Sequence, residues 1–187
     1  MIQESFKSRG FVAGDTIVNR KGERIDLSVL PAFLRTLLVT DGTVTKSLEA
    51  YFWEPVMVNN TLQDVLSSVS NTIALTKEEG QRYLHRKVNL SGVKTTTVYA
   101  FADSYINLSL LSADTAEKLI ANKIGIGELL RDEGLETYRE ILDIGTVSDA
   151  LEDKSVTEQC AYRTYVIKVS GAIAIEITEW FPFSAYC

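Results

Sequence analysis

The stretch GAIAIEITEWFPF, residues 171–183, constrains this chain more than any other. With the two-residue period of a strand, Ile173, Ile175, Ile177, Glu179 and Phe181 share one face, and Ala174, Glu176, Thr178 and Trp180 share the other. Glu179 is thereby placed among isoleucines. An ionised carboxylate is almost never fully buried without a partner, because its desolvation costs more than a strand recovers elsewhere. Some other group has to face it.

Composition narrows what that group can serve. At 187 residues with 45% hydrophobic content, the chain can bury one substantial core, and a single domain over residues 1–187 is expected. Net charge is −6 and no lysine- and arginine-rich run occurs, so nucleic-acid binding lacks an electrostatic basis. No stretch approaches the ~18 uninterrupted apolar residues of a membrane span, and the N-terminus MIQESFKSRG lacks the apolar core of a signal peptide. The two cysteines, Cys160 within an expected strand and Cys187 at the end, form neither a disulfide framework nor a metal-ligand spacing. A cytoplasmic protein, monomeric or a small homo-oligomer, is expected.

Three prolines, scattered glycines and the lack of any repeat or low-complexity tract offer no linker. Residues 27–39, LSVLPAFLRTLLV, read as a short apolar helix. A turn and a Thr43 cap then lead into a helix with Val44, Leu48, Tyr51 and Phe52 on one side. EPVMVNN and TLQDVLSSV read as strands, and Thr76 with Glu79 as a capping box on a helical turn. RYLHRKVNL and TTTVYAFADSYI read as a hairpin around SGVK. SADTAEKLIANK and GELLRDEG read as helices, the second starting after Gly127. ETYREILDIG, AYRTYVIKVSG and AIAIEITEWFPF read as strands, the last two joined at Ser170-Gly171. About six strands with hairpin-type connections give an α+β plan with one antiparallel sheet.

The parity test applied to YLHRKVNL puts Leu84, Arg86, Val88 and Leu90 on one face, so Arg86 points to the apolar side. In AYRTYVIKV, Ala161, Arg163, Tyr165, Ile167 and Val169 align, which turns Arg163 inward too. Two readings stand side by side. Arginine and glutamate can satisfy one another as a buried pair, or reach water at strand ends. Alternatively, the guanidinium forks hold a carboxylate-bearing ligand while the glutamate moves a proton. His85, the only histidine, falls on the outward face, which argues against a serine–histidine triad. Glu140, Asp103 and Asp143 lack the clustering of a hard-metal site, and no metal is expected. GIGELL is not a dinucleotide fingerprint, but its backbone N–H groups at a helix start can accept a carboxylate.

These residues, in this order, resemble the chorismate lyase family and its chorismate lyase-like relatives. The likeness runs through LLVTDGTVTKSLEAYFWEPVMV, RYLHRKVNL, KIGIGELL, ETYREILDIG and YRTYVIKVSG to ITEWFP. The resemblance implies a six-stranded antiparallel sheet with helices and flaps closing over an internal ligand cavity. It also implies removal of pyruvate from chorismate to leave 4-hydroxybenzoate, without metal or organic cofactor. Carried over by position, the family's ligand-binding arginine falls on Arg86 and its essential glutamate on Glu179. Contacts made largely through backbone groups fall near Val44 and at Ile126 and Gly127. The second arginine of the better-studied branch is matched here by Tyr99, and Arg163 is expected to supply the missing guanidinium. Arg86 and Arg163 would orient the dianion, with Glu179 as general acid–base. The expected partner is a small-molecule substrate, chorismate or a related aromatic or enolpyruvyl acid. The same fold also serves as the small-molecule sensor of some bacterial transcription regulators, and a sister lyase or a non-catalytic domain are further alternatives.

Overall fold

Ser170 and Gly171 both adopt positive φ, 50° and 83°. Two successive left-handed residues make the tight turn whose twist matches paired antiparallel strands. They join β7 (Cys160–Val169) to β8 (Ala172–Pro182). The computed structural model describes residues 16–121, 125–127, 130, 134, 137–148 and 159–187.

The main sheet has six strands in the order β3-β4-β5-β8-β7-β6, every neighbouring pair antiparallel. β3 spans Val56–Leu66, β4 Tyr83–Gly92, β5 Val98–Asn107 and β6 Thr137–Val147. After β5 the chain crosses to the far edge, runs inward through β6 and β7, and closes by inserting β8 between β7 and β5. The last strand is thus central. This explains its near-continuous burial on both faces. A separate two-stranded ribbon, β1 (Thr16–Val18) with β2 (Arg24–Asp26), was not foreseen from sequence.

Among the described residues, three α-helices are followed from end to end: α1 (Ala32–Val39), α2 (Val44–Phe52) and α3 (Ala113–Ile120). α1 begins later than the apolar pattern suggests, because Pro31 sits extended at its N-cap. α2 starts after Thr43 as expected and buries Val44 and Leu48, whereas Tyr51 is half exposed and stacks on Phe33. Ser112 caps α3 by accepting the Thr115 amide.

Two sequence expectations are corrected. EPVMVNN and TLQDVLSSV form the single long strand β3, whose interruption is a bulge between Asn60 and Leu62 rather than a break. The Thr76–Glu79 segment is loop and turn, not helix. Its preceding amides at Ile73, Ala74 and Leu75 donate instead to the buried Glu176 carboxylate on the outer face of β8, at 2.6–3.0 Å. GELLRDEG lies mostly outside the described residues, although 126, 127 and 130 are helical.

Two apolar clusters cover the inner face. One gathers Leu34, Leu37, Leu38 and Leu48 from α1 and α2 against Leu90, Ala100 and Phe181. The other gathers Leu119 of α3 against Leu84, Ile106, Ile167 and Ile175. Between them, the middle rows of the sheet carry the buried polar side chains Arg86, Ser104, Arg163 and Glu179.

Candidate active site

Pair by pair, the register builds two inner-face rows across the sheet. Arg86, Ser104, Ile177, Tyr165 and Ile141 lie opposite one another on successive strands. The adjacent row is Val88, Ala102, Glu179, Arg163 and Ile144. Glu179 therefore sits between a small neighbour, Ala102, and a large one, Arg163. The alanine leaves space beside the carboxylate, and that space is part of a cavity of about 210 Å³.

The cavity is floored by strands and closed by two chain segments. Arg86, Ser104, Tyr165 and Glu179 project from β4, β5, β7 and β8. Residues 42–46, the turn into α2, and 125–127 line it from above. Thr43 makes no side-chain cap, and the first-turn amides at 44–46 lie outside intrahelical bonding by helix geometry, so this helix start presents donors to the cavity.

Arg163 is what faces Glu179. Its Nε donates to Glu179 Oε2 at 2.8 Å, and its Nη1 donates to Thr40 O at the C-terminal end of α1 at 2.5 Å. The guanidinium also stands 4.7 Å from the centre of the Tyr165 ring. Tyr165 donates its hydroxyl to the other carboxylate oxygen at 3.2 Å. Both oxygens thus accept, an arrangement suited to the ionised form. Burial first, and then the adjacent Glu179 carboxylate, push the Tyr165 hydroxyl well above its ordinary pKa. For Arg163, burial is the largest single influence and lowers the pKa, but Glu179 and Tyr165 together outweigh it and the net shift is upward. Arg86 is lowered by burial.

Of the residues singled out in the sequence, Glu179, Arg86, Val44, Ile126 and Gly127 line this one cavity. Arg163 and Tyr99 do not. Arg163, 1% exposed, lies behind Glu179, which corrects its expected role as a ligand-facing guanidinium. Tyr99 sits beside the bulge at Leu90/Ser91, stacked on Phe52 at 3.7 Å, and its hydroxyl donates to Glu54 at 2.5 Å. It belongs to the base of the β4–β5 hairpin. His85 is on the outer face, bonded to Asp103 at 2.7 Å and stacked on Tyr105.

Arg139 of β6 and Tyr165 were missed as lining residues. Tyr165 shares parity with Arg163 and could have been found that way. Arg139 pairs with Ile167 and faces inward, but a bulge between Ile141 and Asp143 breaks the alternation along its strand. Parity over ETYREILDIG therefore gives no consistent face.

Comparison with known proteins gives the family and the fold. The family model described as chorismate pyruvate-lyase Rv2949c-like matches residues 38–186. A chorismate pyruvate-lyase of Mycobacterium leprae is 28% identical over 175 residues, covering 91% of this chain and 83% of the relative. The Methanocaldococcus jannaschii protein MJ0807 is 29% identical over 154 residues, covering 79% of this chain and 76% of its own length. Among solved structures, PhnF from Mycobacterium smegmatis aligns with a TM-score of 0.58 at 11% identity, covering 80% of this chain and 67% of that one. The C-terminal domain of the histidine utilization repressor from Pseudomonas syringae pv. tomato aligns at 0.52 and 14% identity, covering 69% and 92%. These two likenesses concern the fold. With its family model matched from the end of α1 to the penultimate residue, this chain belongs to the Rv2949c-like chorismate pyruvate-lyase family.

Proposed function

We propose that this protein is a chorismate lyase that eliminates pyruvate from chorismate to give 4-hydroxybenzoate. The observation that supports it most is Glu179, a carboxylate held from behind by Arg163 and Tyr165 and open in front to a cavity that also contains Arg86. Arg86 and the backbone N–H groups at 44–46 and 125–127 orient the dianion. Glu179 takes the proton from the ring carbon that bears the hydroxyl. The C–H electrons form the new ring double bond, and the neighbouring C–O bond breaks toward the enolpyruvyl oxygen. The released enolate takes up a proton at its methylene carbon and becomes pyruvate, so the proton count closes. Aromatisation makes the step downhill, and positioning with proton transfer suffices.

The test follows both products together after mixing purified protein with chorismate. Pyruvate and 4-hydroxybenzoate in equal amounts are expected from the wild type. Binding of aromatic acids without turnover would replace this reading with a sensor role, which the fold likeness to the repressor domain favours.

A further inference from the structure

The cavity has a second guanidinium, brought in on the same face from the opposite edge of the sheet. Arg86 stands on β4 and Arg139 on the edge strand β6, with β5, β8 and β7 between them. Four strand spacings separate their backbones by roughly 19 Å, and both side chains reach back into the same cavity from its two ends.

Their distances from Glu179 differ. Arg86 is in the row next to Glu179, whereas Arg139 lies in the row of Ile167 and Ile175, two rows away, roughly 13 Å along the strands. Arg139 is instead close to the segments that close the cavity. A Cβ at Gly127 would lie 3.6 Å from Arg139 Nη2 and 3.5 Å from Thr43 Oγ1. A guanidinium, a threonine hydroxyl and the start of α2 therefore meet at one corner. Among the described residues no carboxylate pairs with Arg139. The nearby lining carboxylate Glu49 is already bonded to Lys46 at 3.1 Å and to the Val56 amide at 3.4 Å. The corner is built from hydrogen-bond donors.

Resting on the lyase reading, we infer that Arg139 is a specificity-determining residue that holds the ring carboxylate of the substrate. Chorismate has one carboxylate on the departing three-carbon fragment, next to the bond that breaks. The other lies across the ring from the carbon that loses its proton. With Glu179 at the reacting carbon, the near carboxylate falls to Arg86 and the far one to Arg139 with the donors at Thr43 and Gly127. Arg139 thereby does what the resemblance had led one to seek at Tyr99 or Arg163. The ring carboxylate survives in the product, so Arg139 governs product affinity as well.

The experiment measures binding of 4-hydroxybenzoate and its uncharged analogue 4-hydroxybenzamide to wild type, Arg139→Ala and Arg139→Lys, with melting temperature as the fold control. Wild type is expected to prefer the acid. Arg139→Ala should weaken the acid by about tenfold to a hundredfold, the range of a charge-assisted hydrogen bond, while leaving the amide unchanged. Arg139→Lys should restore part of the preference. A purely structural arginine would weaken acid and amide together, and that result overturns the inference. So does an unchanged preference in Arg139→Ala, or a wild type that binds neither compound. A wild type that prefers the acid through Arg139 but does not turn over chorismate would overturn the lyase reading and leave Arg139 as the carboxylate anchor.

Discussion

Glu176 and Glu179 lie three residues apart on the same strand and are buried to nearly the same degree, 5% and 7% exposed. They face opposite sides of the sheet. Glu176 is closed in by backbone: its two oxygens accept the Ile73, Ala74 and Leu75 amides and pin the loop that precedes β4. Glu179 is held by side chains, Arg163 and Tyr165, and retains a side open to the cavity. Burial alone does not mark a functional carboxylate. What distinguishes the two is whether every accepting direction is filled by the protein itself.

The largest effect is expected where that distinction is broken from behind. Arg163→Met would strand the Glu179 carboxylate in a nearly dry site, and loss of one partner of such a buried pair costs about 3–5 kcal/mol. Urea denaturation should show the loss, and turnover should fall with it. Unchanged stability would mean that Glu179 does not depend on Arg163. Next, Glu176→Ala would strand three amides. Each unsatisfied buried donor costs about 1–3 kcal/mol, so a stability loss of at least about 3 kcal/mol is expected, with KM for the proposed substrate, chorismate, little altered. If KM moved and stability did not, the two carboxylates would have been assigned the wrong roles.

Glu179→Gln keeps the shape and removes the charge. It is expected to reduce kcat on the order of 10²-fold, about 2.7 kcal/mol of barrier, while the protein still melts cooperatively. Near-normal turnover would remove Glu179 from the chemistry. The smallest effect concerns a third carboxylate, Glu54, which accepts the Tyr99 hydroxyl, the Lys94 and Thr95 amides and the Thr95 hydroxyl. The Tyr99 hydroxyl foremost holds its pKa down at about 2, against an ordinary 4.5. A depressed carboxylate stabilises the fold above its unfolded pKa and loses that contribution as pH falls through the folded value. Melting temperature should therefore decline between about pH 4.5 and pH 2, and Glu54→Gln should flatten the decline. Parallel curves for the two proteins would show that Glu54 is not the group responsible.

Much of the site was legible before any fold was known. Parity put Glu179 and Arg86 on apolar faces, because their strands alternate without interruption through those positions. The helix start after Thr43 was legible from its local pattern, and GIG as a segment whose amides can accept a carboxylate. Arg139 was not, because the bulge in β6 breaks the two-residue period next to it. Tyr99 was singled out only by position in the resemblance, and the bulge beside it, between the Leu90–Ala100 and Ser91–Val98 pairs, sets it against Phe52 and Glu54 instead of the cavity.

The sequence by itself determined what is local: strands, turns, helix starts, and which side chains turn away from water. It could not determine which of two inward arginines meets the glutamate, since that depends on strand order and register among segments far apart in the chain. Placing β8 between β5 and β7 sets Arg163 opposite Glu179, with Ala102 on its other side, and moves Arg86 one row away across the cavity. The same order brings Arg139 from the opposite edge to the corner formed by Thr43 and Gly127. Partnership inside a sheet is a property of neighbours, and neighbours are chosen by the tertiary fold.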